Sequence, residues 1–122
     1  MTTLPKLDAD VFAELYESVC EQPKTVAALY DTFFDNAVRL IAALQTVESC
    51  GAREKTLHTL KGSAAMMGAA HIARLASDLQ QTCATMQDDT LEKWIRQLDI
   101  ELHEMRRLVA TRLASLGTSS HG

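Results

Sequence analysis

Residues 57–69, LHTLKGSAAMMGA, decide how the chain folds and hold its most unusual constellation of side chains. Leu57, Leu60, Ala64 and Met67 recur at the spacing of one apolar helix face. Gly68 follows the last of them, where helices commonly end on a residue free to take a positive φ. His58, Lys61 and Gly62 lie off that face and share an outward one, because residues three and four apart are neighbours on a helix. A glycine inside a helix costs about 1 kcal/mol relative to alanine. At Gly62 it leaves bare backbone beside an imidazole, with room for another protein's surface.

The same period continues on both sides. Helices are predicted over 8–21, 23–48, 52–67, 70–87 and 89–116, with 117–122 a disordered polar tail. The first has an aspartate N-cap, Asp8 or Asp10, and an apolar face of Val11, Phe12, Leu15, Tyr16 and Val19. Pro23 suits the first turn of the second, whose stripe is Val26, Leu29, Tyr30, Phe33, Ala37, Leu40, Leu44 and Val47. Phe34, Val38 and Ile41 form another stripe beside it. So wide an apolar side needs two neighbours, or one neighbour and a partner protein. Either the N-terminal helix covers the second stripe, or part of it stays open near His58 as a docking surface.

Ser49-Cys50-Gly51 interrupts the pattern before the third helix. The fourth is apolar at Ile72, Leu75, Ala76, Leu79, Cys83 and Met86. Asp88-Asp89-Thr90 caps the fifth, striped by Leu91, Trp94, Ile95, Leu98, Leu102, Met105, Val109, Leu113 and Leu116. Short connections favour antiparallel neighbours. The expectation is one all-α domain, an antiparallel up-down four-helix bundle with an additional N-terminal helix.

Composition narrows the function. With 47% hydrophobic residues, 5% aromatics, two prolines and five glycines, the chain favours helix over sheet. A net charge of −4 argues against a nucleic-acid binder held by phosphate contacts. Cys20, Cys50 and Cys83 are scattered singly with no CxxC, which argues against a disulfide framework and a zinc site; buried or idle thiols and no metal are expected. No Glu-x-x-His occurs, which disfavours a di-iron bundle. No apolar run approaches the roughly 18–20 residues of a membrane span, and no signal-peptide pattern opens the chain. A cytoplasmic domain without membrane contact is expected. A Gly-rich nucleotide loop is also lacking, which argues against a kinase with its own ATP site.

Imidazole, cation and clearance together describe a nucleophile that takes up an anion. A neutral imidazole is a nucleophile toward phosphorus, and a nearby ammonium offsets the charge gained. If the chain folds back at Gly68-Ala69, a residue about eleven positions after the turn meets His58, which is where Gln80 stands. An amide accepting from one ring N–H would fix the tautomer and free the other nitrogen's lone pair. Ser63 suits a hydrogen bond to a carbonyl one turn back better than contact with phosphate. Ala65, Met66 and Met67 offer adaptable contacts, with Met67 assigned to the core. His71, His103 and His121 lack such a setting and read as surface or tail residues.

His58-Thr59-Leu60-Lys61-Gly62-Ser63, followed by Gly68-Ala69, closely resembles the signature of histidine-containing phosphotransfer (HPt) domains of bacterial two-component phosphorelays. The five predicted helices match that family to about Leu116. The resemblance implies that His58 accepts a phosphoryl group from a receiver domain's phospho-aspartate and hands it to another. Lys61 and Gln80 would assist. Gly62, Ala65, Phe34, Val38 and Ile41 would face the partner, and Ser63, Gly68 and Ala69 would be structural. It implies a phosphocarrier with no cofactor of its own, Mg²⁺ being held by the receiver; a monomer is expected because no long unpaired heptad seam remains. Its partners would be response-regulator receivers, with a hybrid sensor histidine kinase as a further candidate; the sequence leaves open whether this is a free-standing protein or the C-terminal domain of such a membrane-anchored parent. The competing reading is a degenerate helical adaptor of the same fold without phosphotransfer.

Overall fold

Asp8 starts the first helix as its side chain accepts from the backbone N–H groups of Asp10 at 2.9 Å and Val11 at 3.3 Å. Such a cap is worth about 1 kcal/mol. The computed structural model describes residues 5–46 and 49–119, with side chains as far as Leu116. The described residues form α1 (Ala9–Ser18), α2 (Pro23–Thr46), α3 (Cys50–Met66), α4 (Ala70–Thr82) and α5 (Asp88–Ser119). No helix among them is long and apolar enough to cross a membrane.

Helices α2, α3, α4 and α5 close into a ring: α2 packs on α3, α3 on α4, α4 on α5, and α5 back on α2. The tightest pairing is α3 with α4, across the short Met67–Ala69 turn. This is the expected antiparallel four-helix bundle, with α1 laid against it. Inside lie Val26, Tyr30, Phe33, Ala37 and Leu44 of α2, Leu57, Leu60 and Ala64 of α3, Ile72, Ala76 and Leu79 of α4, and Leu91, Ile95, Leu98, Leu102, Met105 and Val109 of α5. All of these follow the predicted faces. Leu29 and Trp94, expected on the same stripes, are instead exposed. Val47 lies outside the described residues.

Helix ends differ from the sequence expectation for identifiable reasons. α1 stops at Ser18 rather than residue 21 because Cys20 and Glu21 both take a left-handed conformation, φ 56° and 55°. The Glu21 N–H then donates to the Tyr16 carbonyl at 2.9 Å, closing the helix end. α3 starts two residues early because the Ser49 hydroxyl caps it, accepting from the Ala52 N–H at 3.2 Å. α4 yields to a turn after Thr82, whose carbonyl accepts from both the N–H and the hydroxyl of Thr85. α5 runs on through Gly117 to Ser119, so the first part of the supposed tail is helical. Residues 120–122 lie outside the described part.

Tyr30 ties α2 to the end of α3. Its ring is fully buried, stacked on Phe12 at 5.6 Å between centroids, and its hydroxyl donates to the Met67 carbonyl at 3.0 Å. That carbonyl belongs to the last turn of α3, where intrahelical donors run out. Burial, with a smaller contribution from the Asp8 charge, pushes the phenol up to about 12. The folded state therefore holds this proton more tightly than the unfolded chain, and stability falls as pH rises from about 10 toward 12. Tyr30→Phe is expected to cost about 1 kcal/mol at neutral pH and to flatten that alkaline loss. Urea unfolding of both proteins at pH 7 and above pH 10 measures it.

Candidate functional site

Helix α3 buries Leu57, Leu60 and Ala64 against its neighbours and turns its other side to solvent. On that side His58, Lys61 and Gly62 are all exposed, as their spacing requires. Lys55 is exposed as well, one turn before His58 where Lys61 is one turn after. A lysine residue thus stands one helical turn from the histidine on each side. Lys55 belongs to no motif that would mark it in the sequence, and only its helical spacing from His58 could have pointed to it. The backbone at Gly62 is bare to solvent: nothing lies within 4 Å of where a Cβ would stand.

The turn after α3 is built around Gly68. Its φ of 75° lies in the left-handed region, and its carbonyl accepts from the Asp8 N–H at 2.7 Å. A Cβ there would stand 3.0 Å from Val11 Cβ and 3.2 Å from the Asp8 carbonyl oxygen. Ala69 is fully buried, and its N–H donates to the Ala64 carbonyl at 2.8 Å. These contacts fix where α4 departs, and hence which residues of α4 lie level with His58. The Ser63 hydroxyl donates to the Leu60 carbonyl at 3.2 Å, the local bond expected of it.

Gln80 is half-buried on α4. Among the described residues no hydrogen bond joins its amide to His58; its backbone carbonyl accepts from Cys83 Sγ at 3.8 Å. The exposed His58 ring is not pinned by the amide in this structure.

The second stripe of α2 divides. Phe34 and Ile41 are 2% and 3% exposed and belong to the core, so they are not docking residues. The cover comes chiefly from α5 rather than from the N-terminal helix. Arg106 of α5 lays its guanidinium over the Phe34 ring at 5.0 Å, while α1 reaches α2 through Phe12 on Tyr30. Val38 stays 47% exposed. Counted from the α2–α3 connection in an antiparallel pair, it lies level with His58. Ala65 is exposed and Met66 is 75% exposed, whereas Met67 packs partly against the core. On α3 the exposed residues within about a turn or two of His58 are thus Gly62, Ala65 and Met66, small or apolar, with Lys55 and Lys61, while Val38 is the exposed member of the α2 stripe.

The other histidines sit in different settings. His71 is half-buried, its Nδ1 3.4 Å from Glu101 Oε2, so it is more than the plain surface residue expected. His103 is exposed on α5, its Nδ1 2.8 Å from the Asp99 carbonyl oxygen, and His121 lies outside the described residues. All three cysteines are free, and Cys83 is buried. Cys50 and Cys83, far apart in sequence, bring their sulfurs within 3.2 Å, with Glu54 beside them. Cys20 stands apart and exposed.

Comparison with known proteins agrees with this geometry. The sequence profile of the Hpt domain matches residues 28–114, which spans most of α2 and all of α3 and α4 with most of α5. The crystal structure of histidine-containing phosphotransfer protein B (HptB) from Pseudomonas aeruginosa PAO1 superposes with a TM-score of 0.74 at 25% identity, covering 93% of this chain and 98% of that one. No curated protein sequence matches the chain.

Proposed function

The chain belongs to the Hpt domain family, whose members carry phosphoryl groups in phosphorelays, and from that premise we propose that His58 is its phosphoacceptor. The observation that carries this reading is the exposed imidazole set between Lys55 and Lys61, with bare backbone at Gly62 one turn away. The donor is the phospho-aspartate of a response-regulator receiver domain. The lone pair of one His58 ring nitrogen forms the N–P bond as the P–O bond to the aspartyl carboxylate breaks, and the electron pair leaves on that carboxylate. The reverse reaction on another receiver passes the group onward. The receiver holds the Mg²⁺, and this chain adds a nucleophile and positive charge.

Charge sets the role of the lysines. Phosphorylation adds nearly two negative charges to an exposed ring, and ammonium groups one turn away on either side offset them. Gln80, on the neighbouring helix, is the candidate to accept from the ring N–H once a partner excludes water. Val38, Ala65 and Met66 offer the receiver an apolar, adaptable surface around the reacting nitrogen.

The test is to mix the chain with a receiver carrying labelled phospho-aspartate. Label is expected to move to this chain as an acid-labile, base-stable adduct. Receiver binding without any transfer would instead identify an adaptor. A second test uses Gly62. Gly62→Ala is expected to raise stability by about 1 kcal/mol, since the methyl meets only solvent. Gly62→Leu is expected to fold equally well yet lower transfer at least about tenfold, by obstructing the partner's approach. Unchanged transfer by the leucine variant would refute the role of clearance.

A further inference from the structure

The sulfurs of Cys50 and Cys83 meet at the end of the α3–α4 hairpin opposite its Gly68 turn, 3.2 Å apart. Cys50 is the first residue of α3 and half-buried, while Cys83 closes the C-terminal end of α4 and is buried. Nothing in phosphotransfer at His58 uses either thiol. Two sulfurs in contact across adjacent helix ends need only small side-chain rotations to reach bonding distance, about 2.05 Å. Glu54 lies one turn beyond Cys50, its Oε1 4.0 Å from Cys50 Sγ and placed to take the thiol proton.

We propose that Cys50 and Cys83 are a modification site, a dithiol that hydrogen peroxide converts to a reversible intramolecular disulfide. The more accessible Cys50 gives up its proton toward Glu54, and its sulfur attacks one peroxide oxygen. The O–O bond breaks, Cys50 becomes a sulfenic acid, and the departing hydroxide takes the proton as water. Cys83 sulfur then attacks Cys50 sulfur. The S–O bond breaks, the S–S bond forms, and the second hydroxide leaves with the Cys83 proton as water. Two thiols and one peroxide give one disulfide and two waters, and a dithiol reductant reverses it. Burial, and next the hydrogen bond with Cys50, pushes the Cys83 thiol up to about 11, which suits it to the second step rather than the first.

The crosslink would join positions 33 apart in sequence and enclose His58 and Gln80. Closing a loop of that size restricts the unfolded chain, and a Tm increase of about 10 °C is expected. The whole chain, freed of reductant, is treated with hydrogen peroxide, quenched with catalase, alkylated and analysed by mass without reduction. The expected product has lost two hydrogens, joins the Cys50 peptide to the Cys83 peptide, leaves Cys20 alkylatable, and returns to the starting mass and Tm with dithiothreitol. Cys83→Ala should instead accumulate a sulfenic acid on Cys50 that dimedone traps. Cys50→Ser, a change at the first residue of a helix, should fold normally and show neither crosslink nor Tm gain. Three alkylatable thiols after peroxide would overturn the proposal. So would a crosslink through Cys20, or one zinc per chain in the purified protein protecting both thiols from peroxide.

Discussion

A His58→Gln variant should unfold at the same temperature as the parent and take up no phosphoryl group at all. The two halves of that expectation come from different facts. His58 is exposed on α3 while the neighbouring Leu57 and Leu60 are fully buried, so the substitution removes no core contact. Changes at such surface positions usually stay within about 0.5 kcal/mol. The glutamine amide retains hydrogen-bonding capacity and bulk, but it has no nitrogen lone pair basic enough to attack phosphorus. Loss of transfer with an unchanged Tm and intact receiver binding separates chemistry from folding and from docking. Residual labelling in this variant would move the acceptor elsewhere on the chain.

The second large effect is on stability and lies six residues beyond Gly62. Gly68→Ala is expected to cost about 2–4 kcal/mol, lowering Tm by about 10 °C. Part of this is the left-handed φ of 75°, which an L side chain adopts at a cost of about 1–2 kcal/mol. The rest is steric. A methyl would press on Val11 Cβ and the Asp8 carbonyl, and would push away the Asp8 N–H that bonds the Gly68 carbonyl. The opposite signs expected at Gly62 and Gly68 follow from surroundings alone, open solvent in one case and α1 in the other. Thermal melts of the two alanine variants beside the parent decide it, and a neutral Gly68→Ala would show that α1 yields there at little cost.

The bundle was legible because its helices are long and strongly periodic, and because Pro23 and Gly68 mark boundaries with known conformational demands. The end of α1 was not, since Cys20 and Glu21 take positive φ without a glycine to announce it. Period also places residues on a face without saying how much of the face is covered. Phe34, Val38 and Ile41 share a stripe, yet α5 reaches Phe34 through Arg106 and leaves Val38 open. Leu29 and Trp94 failed in the same way, at the margins of faces whose centres are buried.

The site shows the same division. His58, Lys61 and Gly62 fall within about one turn, so local geometry alone puts them on one surface. The thiol pair joins the start of α3 to the end of α4, and only the finished hairpin brings Cys50 to Cys83. The Gln80 amide and the His58 ring also belong to different helices, and no hydrogen bond joins them among the described residues; periodicity along one helix cannot settle such a pairing.

The most direct test of the central claim is to locate the phosphoryl group. The chain is incubated with a phosphorylated receiver at neutral to mildly alkaline pH, digested without acid, and its peptides are fragmented under conditions that spare the N–P bond. A single phosphohistidine at His58 is the predicted result. Phosphate found on His71 or His103, or no phosphohistidine from any receiver that binds the chain, would contradict it.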